Sequence, residues 1–460
     1  MKILFVHGWN VHNLNSYGEL PEAIQKAAPN GMNIEIHNIH LGRYINFHDE
    51  VTLDDVARAF DLARRDCIGD ASFSCITHST GGPVVRLWLH LFYGLLGDFD
   101  NIPLQHLIML APANNGSPLA ALGKSTAARI FKRLFEGVEP GAGLLTWLQL
   151  GSQGQRELNL GSMEYSPADH GCYPFVLTGE TIDHHFYDFL NSYLVEPGSD
   201  GVVRVSGANM NYKHIKLVQN GSELVDGYDG RNVALLEPSS GIKASPEAPL
   251  VVVRGASHSG KDIGIMRSIT EDNYEQKTVV EHILRCLSVR CSDDYQQLTD
   301  DFKALTTEVQ LEEGETENQH CAFVFRVWDD RNNAIEDFDM LLLAESDYHP
   351  GKLPKGFFQD RQFNKQSKAL IYYLNYSQLK DVSHLGFRIN ARPDSGFSYY
   401  LPIEFRSDGH AVSEFLQPNQ TVFIDVTIKR FVDKEVFRFE GTDHDRDYDF
   451  KKVKPSGQTI

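Results

Sequence analysis

Ser79 lies in Thr77-His78-Ser79-Thr80-Gly81-Gly82, between a short apolar run and a segment opened by Pro83. A hydroxyl is a poor nucleophile unless it is held exposed beside a base, and a tight turn from strand into helix does this at a sheet's carboxyl edge. Gly81 supplies the room for such a turn, with His78 and Gly82 as supporting positions. The same turn aims the Thr80 backbone N–H at the place where a tetrahedral oxyanion would form. The usual form of this motif is G-x-S-x-G, and Thr77 stands where its first glycine belongs. A bare S-x-G is more often an ordinary turn, so the assignment of Ser79 as nucleophile rests on the strand before it and the helix after it.

In chains built this way the acid and then the histidine follow the serine. Nineteen histidines are available, so position decides between them. His258, in Gly255-Ala256-Ser257-His258-Ser259-Gly260, follows directly on the apolar run Leu250 to Val253, where a base is expected. His282 falls in a helical pattern, and His184 and His185 lie in a polar stretch, which suits packing or surface roles. For the acid, Asp200 sits in Ser199-Asp200-Gly201-Val202-Val203, where a buried carboxylate would orient His258 and stabilise the imidazolium. Asp183 and Asp188 compete with it from a segment that reads as helix. A second oxyanion donor is expected from the loop after the first strand, His7-Gly8-Trp9: Trp9 offers its N–H and Gly8 lets the backbone approach a substrate. The plainer reading of His-Gly is the mere end of a strand.

These residues need a scaffold. Lys2 to Val6, Phe73 to Thr77, Leu104 to Leu110, Phe175 to Thr178 and Leu250 to Val253 are short apolar runs of the kind found in buried parallel strands. Between them, Leu53 to Arg65 repeats apolar residues at helical spacing behind Asp54 and Asp55, and Pro83 opens a helix through Leu91. The alternation predicts a doubly wound, mostly parallel α/β sheet over residues 1–290.

After Ser288 the character changes. Residues 291–320 read as a polar, acidic linker with a short helix (Tyr295, Leu298, Phe302, Leu305). Residues 321–440 alternate, rich in aromatic and β-branched types, which predicts an antiparallel β-sandwich with Trp328, Phe357, Phe358, Tyr372 and Tyr373 in its core. Val422 to Phe431 and Glu435 to Phe439 read as a hairpin, and 441–460 as a charged tail.

Bulk properties narrow the partners. The 460 residues, 42% hydrophobic and 11% aromatic, bury a large core, and the net charge of −19 without a Lys/Arg cluster argues against nucleic acid. Anionic lipid is repelled as well, so membrane contact must use apolar surface or a local basic patch. Met1 to Val6 is too short for a signal-peptide core, so Sec-type export is not implied, and no apolar run reaches the roughly 18 residues of a spanning helix. Six cysteines without C-x-x-C spacing read as reduced thiols with no metal site.

Four segments together resemble the PlaB-type bacterial phospholipase A and lysophospholipase family: Thr77 to Gly82, Leu110-Ala111-Pro112-Ala113-Asn114-Asn115-Gly116-Ser117, Ser199 to Val205, and Ser257-His258-Ser259-Gly260-Lys261. The likeness runs nearly end to end. The family uses T-H-S-T-G in place of the common lipase pentapeptide, so Thr77 becomes an argument in favour. The resemblance implies an α/β-hydrolase domain, a C-terminal β-sandwich and a triad at Ser79, Asp200 and His258. It further implies phospholipid and lysophospholipid substrates, a cytoplasmic or outer-membrane-peripheral location in a bacterium, and a homo-oligomer, dimer or tetramer. No cofactor is needed for catalysis, and NAD(H) at a subunit interface is a regulatory ligand by resemblance alone, since the sequence has no G-x-G-x-x-G fingerprint.

The segment Leu119 to Leu150 mixes Ile130, Phe131, Leu134, Phe135 and Trp147 with Lys124, Arg129, Lys132 and Arg133. It reads either as a cap over Ser79 that grips acyl chains or as ordinary core helices. Two rival functions keep the same residues: a hydrolase for another ester or a thioester, and a catalytically silent scaffold.

Overall fold

The computed structural model describes residues 1–7, 16–46, 48–122, 141–183, 196–312, 319–393 and 397–433. Lys2–His7 (β1), Glu35–His40 (β2), Phe73–His78 (β3), Leu104–Leu110 (β4), Tyr173–Thr178 (β5) and Leu250–Val252 (β9) form one all-parallel sheet in the order β2-β1-β3-β4-β5-β9. Side chains alternate across a strand, and both faces here are apolar. Leu4, Val6, Cys75, Leu107, Met109 and Val176 pack with the helices Leu53–Ile68 (α2) and Gly81–Leu89 (α3). Ile3, Phe5, Ile76, Ile108, Phe175 and Val251 pack on the other side with Leu20–Ala27 (α1) and Thr278–Ser288. The doubly wound sheet read from the apolar runs is therefore present. Its edge strand β2 escaped that reading because only Ile36 and Ile39 carry an apolar signal in it.

A second, β-rich sheet follows the order β11-β14-β16-β7-β6-β17-β10-β13-β12, with β8 on β6. Its strands are Tyr212–Asp226 (β6), Asn232–Pro238 (β7), Lys243–Ala244 (β8), His320–Asp329 (β10), Phe338–Ala344 (β11), Phe358–Asn364 (β12), Ala369–Asn375 (β13), Leu385–Ala391 (β14), Ile403–Arg406 (β16) and Thr421–Ile428 (β17). The Phe325 and Phe387 rings, on β10 and β14, lie 5.2 Å apart although four strands separate them in that order. In a flat sheet five spacings of about 4.8 Å would part them by about 24 Å. The sheet therefore folds over on itself, sandwich-fashion, around one apolar core that includes Ile215, Leu236, Phe323, Leu342 and Phe405.

Several details differ from the sequence reading. The pairs β10–β17, β17–β6 and β16–β7 are parallel, so the sheet is mixed rather than purely antiparallel. Strands β6 to β8 come from inside residues 1–290, because β6 finds its partner in Thr421–Thr427, some two hundred residues away, and no local signal records that choice. The segment read as linker is also more ordered than expected, since Ser292–Glu312 is one helix. Its Tyr295, Leu298 and Phe302 are buried, and the Thr306 hydroxyl accepts from Val252 N and donates to Leu250 O, closing the edge at β9. Its acidic residues mark a solvated helix face.

Of Leu119 to Leu150, the described ends behave as core apart from the exposed Leu122. Leu119, Leu144, Leu145, Trp147 and Leu148 are buried, while 123–140, with all four basic residues, lie outside the described residues. Tyr372 and Tyr373 are core, but Phe358 is exposed on the outer strand β12. Phe431–Val432 (β18) pairs with Ser398–Tyr399 (β15), and both Glu435 to Phe439 and the tail 441–460 lie outside the described residues.

A buried cation ties the segment that carries Asp200 to the β-rich sheet. Arg204 forms a bidentate pair with Glu196 (2.8 and 2.7 Å), reaches Asp360 on β12 (2.5 Å) and stacks 4.1 Å from the Tyr373 ring centroid. Its side chain is 3% exposed. Removing it strips Glu196 of its bidentate donor and leaves Asp360 with Gln362 Nε2 alone (3.0 Å), so Arg204→Ala should cost about 3 kcal/mol in urea unfolding. Asp360→Asn keeps the Glu196 pair and should cost about 1 kcal/mol or less. Equal losses for the two variants would show that the Glu196 pair adds nothing beyond the Asp360 contact.

Candidate active site

The chain leaves β3 at His78 and enters α3 at Gly81, and Ser79 makes the corner with φ +53°, a left-handed value that strains a residue bearing a Cβ. The corner is pinned by main-chain bonds. Ser79 N donates to Leu110 O (2.9 Å), and Ser79 O accepts from Gly82 N (3.2 Å). Glycine is required at 82, where a Cβ would lie 2.8 Å from Pro112 Cβ and 3.1 Å from Met109 Sδ. At Gly81 a Cβ would come 3.3 Å from that of Thr77, so the space left at 81 is what admits a threonine where the usual motif has glycine. Thr80 is the N-cap of α3 and is buried next to the corner.

Asp200 and His258 arrive from two loops. The turn at Ser199-Asp200-Gly201 uses positive φ at Gly201 (+93°) and bends the chain until Asp200 Oδ1 accepts from Val202 N (3.0 Å) and Val203 N (2.7 Å). Its other oxygen, Oδ2, lies 2.8 Å from His258 Nδ1. His258 Nε2 lies 3.0 Å from Ser79 Oγ. All three residues are buried, Ser79 at 2% exposure and the other two at 0%.

The proton positions follow from the partners. Asp200 Oδ1 already takes two N–H groups, and an ionised carboxylate only accepts, so the proton on the imidazole is at Nδ1. Nε2 is then a bare acceptor facing the Ser79 hydroxyl. The arrangement can move the serine proton onto His258 and hold the resulting imidazolium against Asp200.

The structure thus brings Ser79, Asp200 and His258 together and places His78, Thr80, Gly81 and Gly82 around the same corner. Trp9 and Gly8 lie outside the described residues, as do Asp188, His184 and His185. Asp183 is buried against the base's loop, with Oδ2 2.8 Å from where a Cβ on Gly260 would stand, but both imidazole nitrogens of His258 are taken by Asp200 and Ser79. His282 is buried with its ring 5.3 Å from Phe302, in a packing role. Val202 and Val203, whose amides hold the carboxylate, carried no side-chain signal in the sequence, because their contribution is main-chain geometry.

Two further histidines border the site. His78 Nε2 lies 2.9 Å from the carbonyl oxygen of His258, and burial, with His258 beside it, pushes its pKa down to about 3. His7, at the end of β1, meets Asn38 Oδ1 through Nε2 at 2.9 Å, and burial lowers it to about 4.

No protein-family model matches the chain, and no curated protein matches it. Solved structures that match along its length include two of one protein. Phospholipase PlaB from Legionella pneumophila in complex with thio-NAD is 39% identical, covering 100% of each chain with a TM-score of 0.83. Another structure of phospholipase PlaB from Legionella pneumophila is 41% identical over 96% of each chain, with a TM-score of 0.82.

The buried histidines give stability a pH dependence with a definite sign. His78, His7 and His282 (lowered to about 4, again by burial) charge near their ordinary value of 6.5 when the chain is unfolded but resist protonation when folded. Their contribution is complete above pH 6.5 and falls as pH drops toward about 4, by about 1.4 kcal/mol per pH unit for each. Urea unfolding between pH 8 and 5 should show this decline, and His282→Leu should lessen the slope by about one proton. An unchanged slope in that variant would contradict the assignment.

Proposed function

Because the chain belongs to the PlaB phospholipase family, we propose that it is a serine-dependent phospholipase A and lysophospholipase that cleaves fatty-acyl esters through an acyl-enzyme. The observation that carries this reading is the buried hydrogen-bonded line from Ser79 through His258 to Asp200, at 3.0 and 2.8 Å, with Ser79 on a left-handed corner.

Ser79 Oγ attacks the acyl carbonyl while His258 Nε2 takes its proton, so the new C–O bond and the N–H bond form together. The carbonyl oxygen becomes an oxyanion, held by the N–H of Thr80 at the start of α3 and by that of Trp9 from the loop after β1. Asp200 stays ionised, since Val202 and Val203 donate to it, and it offsets the imidazolium charge. Collapse breaks the ester C–O bond, and His258 returns the proton to the departing lysolipid or glycerol-phosphodiester alcohol. Water, deprotonated by His258, then attacks the acyl-serine, and His258 returns that proton to Ser79 Oγ as the fatty acid leaves.

Peripheral contact with a bacterial membrane and a homo-oligomeric state, dimer or tetramer, belong to the same reading. No helix among the described residues is long and apolar enough to cross a membrane. Phospholipase PlaB from Legionella pneumophila has been solved in complex with thio-NAD, which supports NAD(H) as a ligand, and the same reading assigns it a regulatory place at a subunit interface. The turn after β3 does not fit a pyrophosphate, because Gly82 there is packed against Pro112 and Met109. No step of the reaction runs through a dinucleotide.

A fluorophosphonate probe should label the wild-type protein and leave Ser79→Ala unlabelled. Asp200→Asn should lower kcat about 10⁴-fold with the fold intact. Assayed on phospholipid, lysophospholipid and acyl-thioester, the wild type should prefer the first two. Preference for the thioester would move the substrate class, and a folded wild type that neither labels nor hydrolyses would make the chain a scaffold.

A further inference from the structure

The bonds internal to the loop that carries His258 stop short of the histidine itself. Gly255-Ala256-Ser257-His258-Ser259-Gly260 is made of small residues around the histidine, with φ of +66° and +123° at its two glycines. Its main chain is tied ahead of the histidine, with Ala256 N donating to Val253 O (3.2 Å), Ala256 O accepting from Thr181 N (3.1 Å), Ser257 N donating to Ile263 O (2.9 Å), Ser257 O accepting from Ile265 N (2.9 Å) and Ser257 Oγ donating to Ser259 O (3.0 Å), and none of these touches His258. The His258 peptide groups are held from outside. His258 N donates to the carbonyl of Asp200 at 3.1 Å, and the His258 carbonyl meets His78 Nε2 at 2.9 Å. The base is therefore fastened on one side by the backbone of its carboxylate partner and on the other by the side chain next to the serine.

We propose that His78 is a positioning residue, which fixes the main chain of His258 and through it the reach of the imidazole to Ser79. This rests on the serine-hydrolase reading above. A carbonyl oxygen only accepts, so His78 carries its proton on Nε2 and leaves Nδ1 bare. Its ring lies 4.7 Å from that of His258, where a second positive charge would oppose the imidazolium that forms as Ser79 attacks. Burial keeps His78 neutral, and His258 and Arg267, the charged or titratable groups acting on it, disfavour its protonation further. His78 is thus a donor that stays neutral while His258 takes up the serine proton. A main-chain anchor of this kind matters because catalysis tolerates displacement poorly, a shift of about 1 Å costing about 10²-fold in rate.

The test compares His78→Phe, which keeps a ring and loses the donor, with His78→Gln, whose amide N–H reaches the place of Nε2. Active sites are titrated with a fluorophosphonate, and turnover of a short-chain p-nitrophenyl ester is expressed per titrated site. H78F should lower kcat and the rate of phosphonylation in parallel, by about 10²-fold, with KM changed by no more than about twofold. H78Q should recover both rates to within about fivefold of wild type. If H78F does not fold, His78→Asn takes its place, since its shorter amide stops short of the His258 carbonyl. Wild-type phosphonylation and turnover in H78F, or H78Q as slow as H78F, would overturn the positioning role. An inert wild type would instead overturn the hydrolase reading and this inference with it.

Discussion

Asp200 is a carboxylate with no exposed surface, and burying such a charge is costly unless hydrogen bonds replace its water. Two come from the Val202 and Val203 amides to one oxygen and the third from His258 to the other. That satisfaction fixes the tautomer of His258, and the tautomer decides that the imidazole faces Ser79 as an acceptor. The rest of the site depends on this one arrangement. A proton on the other ring nitrogen would leave Ser79 facing a donor, unable to give up its hydrogen.

The β-rich sheet has a direct part in holding that carboxylate in place. The segment 196–209, which contains Asp200, is tied to it at several points. Arg204 reaches Asp360, Tyr373 Oη donates to Pro197 O (2.8 Å), Thr421 Oγ1 donates to Ser206 O (2.9 Å) and Asn209 Nδ2 donates to Asn419 O (2.6 Å). From the other side, Ser117 Oγ donates to Val202 O and Asn115 N to Gly207 O, both from the loop after β4. A loop of this length would otherwise sample many conformations, and these bonds select one. The second sheet is thus part of the apparatus that keeps the acid in register with the base.

Strain and packing meet at the serine. The left-handed φ at Ser79 costs on the order of 1–3 kcal/mol and persists only because neighbouring contacts leave no alternative. Gly82 lies hard against Pro112 and Met109, and the buried β3 and α3 on either side cannot relax without opening the core. The same burial drives His78 and His7 to stay neutral, while His258 has a carboxylate beside it to offset the proton it takes from Ser79 during the reaction. The histidines around the site differ in function because their partners differ: an amide oxygen for His7, a peptide carbonyl for His78 and a carboxylate for His258.

Much of this was legible from residue order alone. Strands β1, β3, β4, β5 and β9 are continuous apolar runs, and α2 and α3 carry helical periodicity, so local patterning specified them. Ser79 and His258 could be singled out because each follows an apolar run, and Asp200 because it stands between them in order, in a turn ahead of Val202 and Val203, with Asp183 and Asp188 competing. What patterning could not decide was partnership across the chain. Strand β6 joins β17, the acidic stretch 292–312 forms a helix over β9, and His78 reaches a carbonyl 180 residues onward. Local propensity depends on neighbours within a few residues, whereas sheet membership, loop conformation and tautomer depend on contacts that exist only once distant segments have packed.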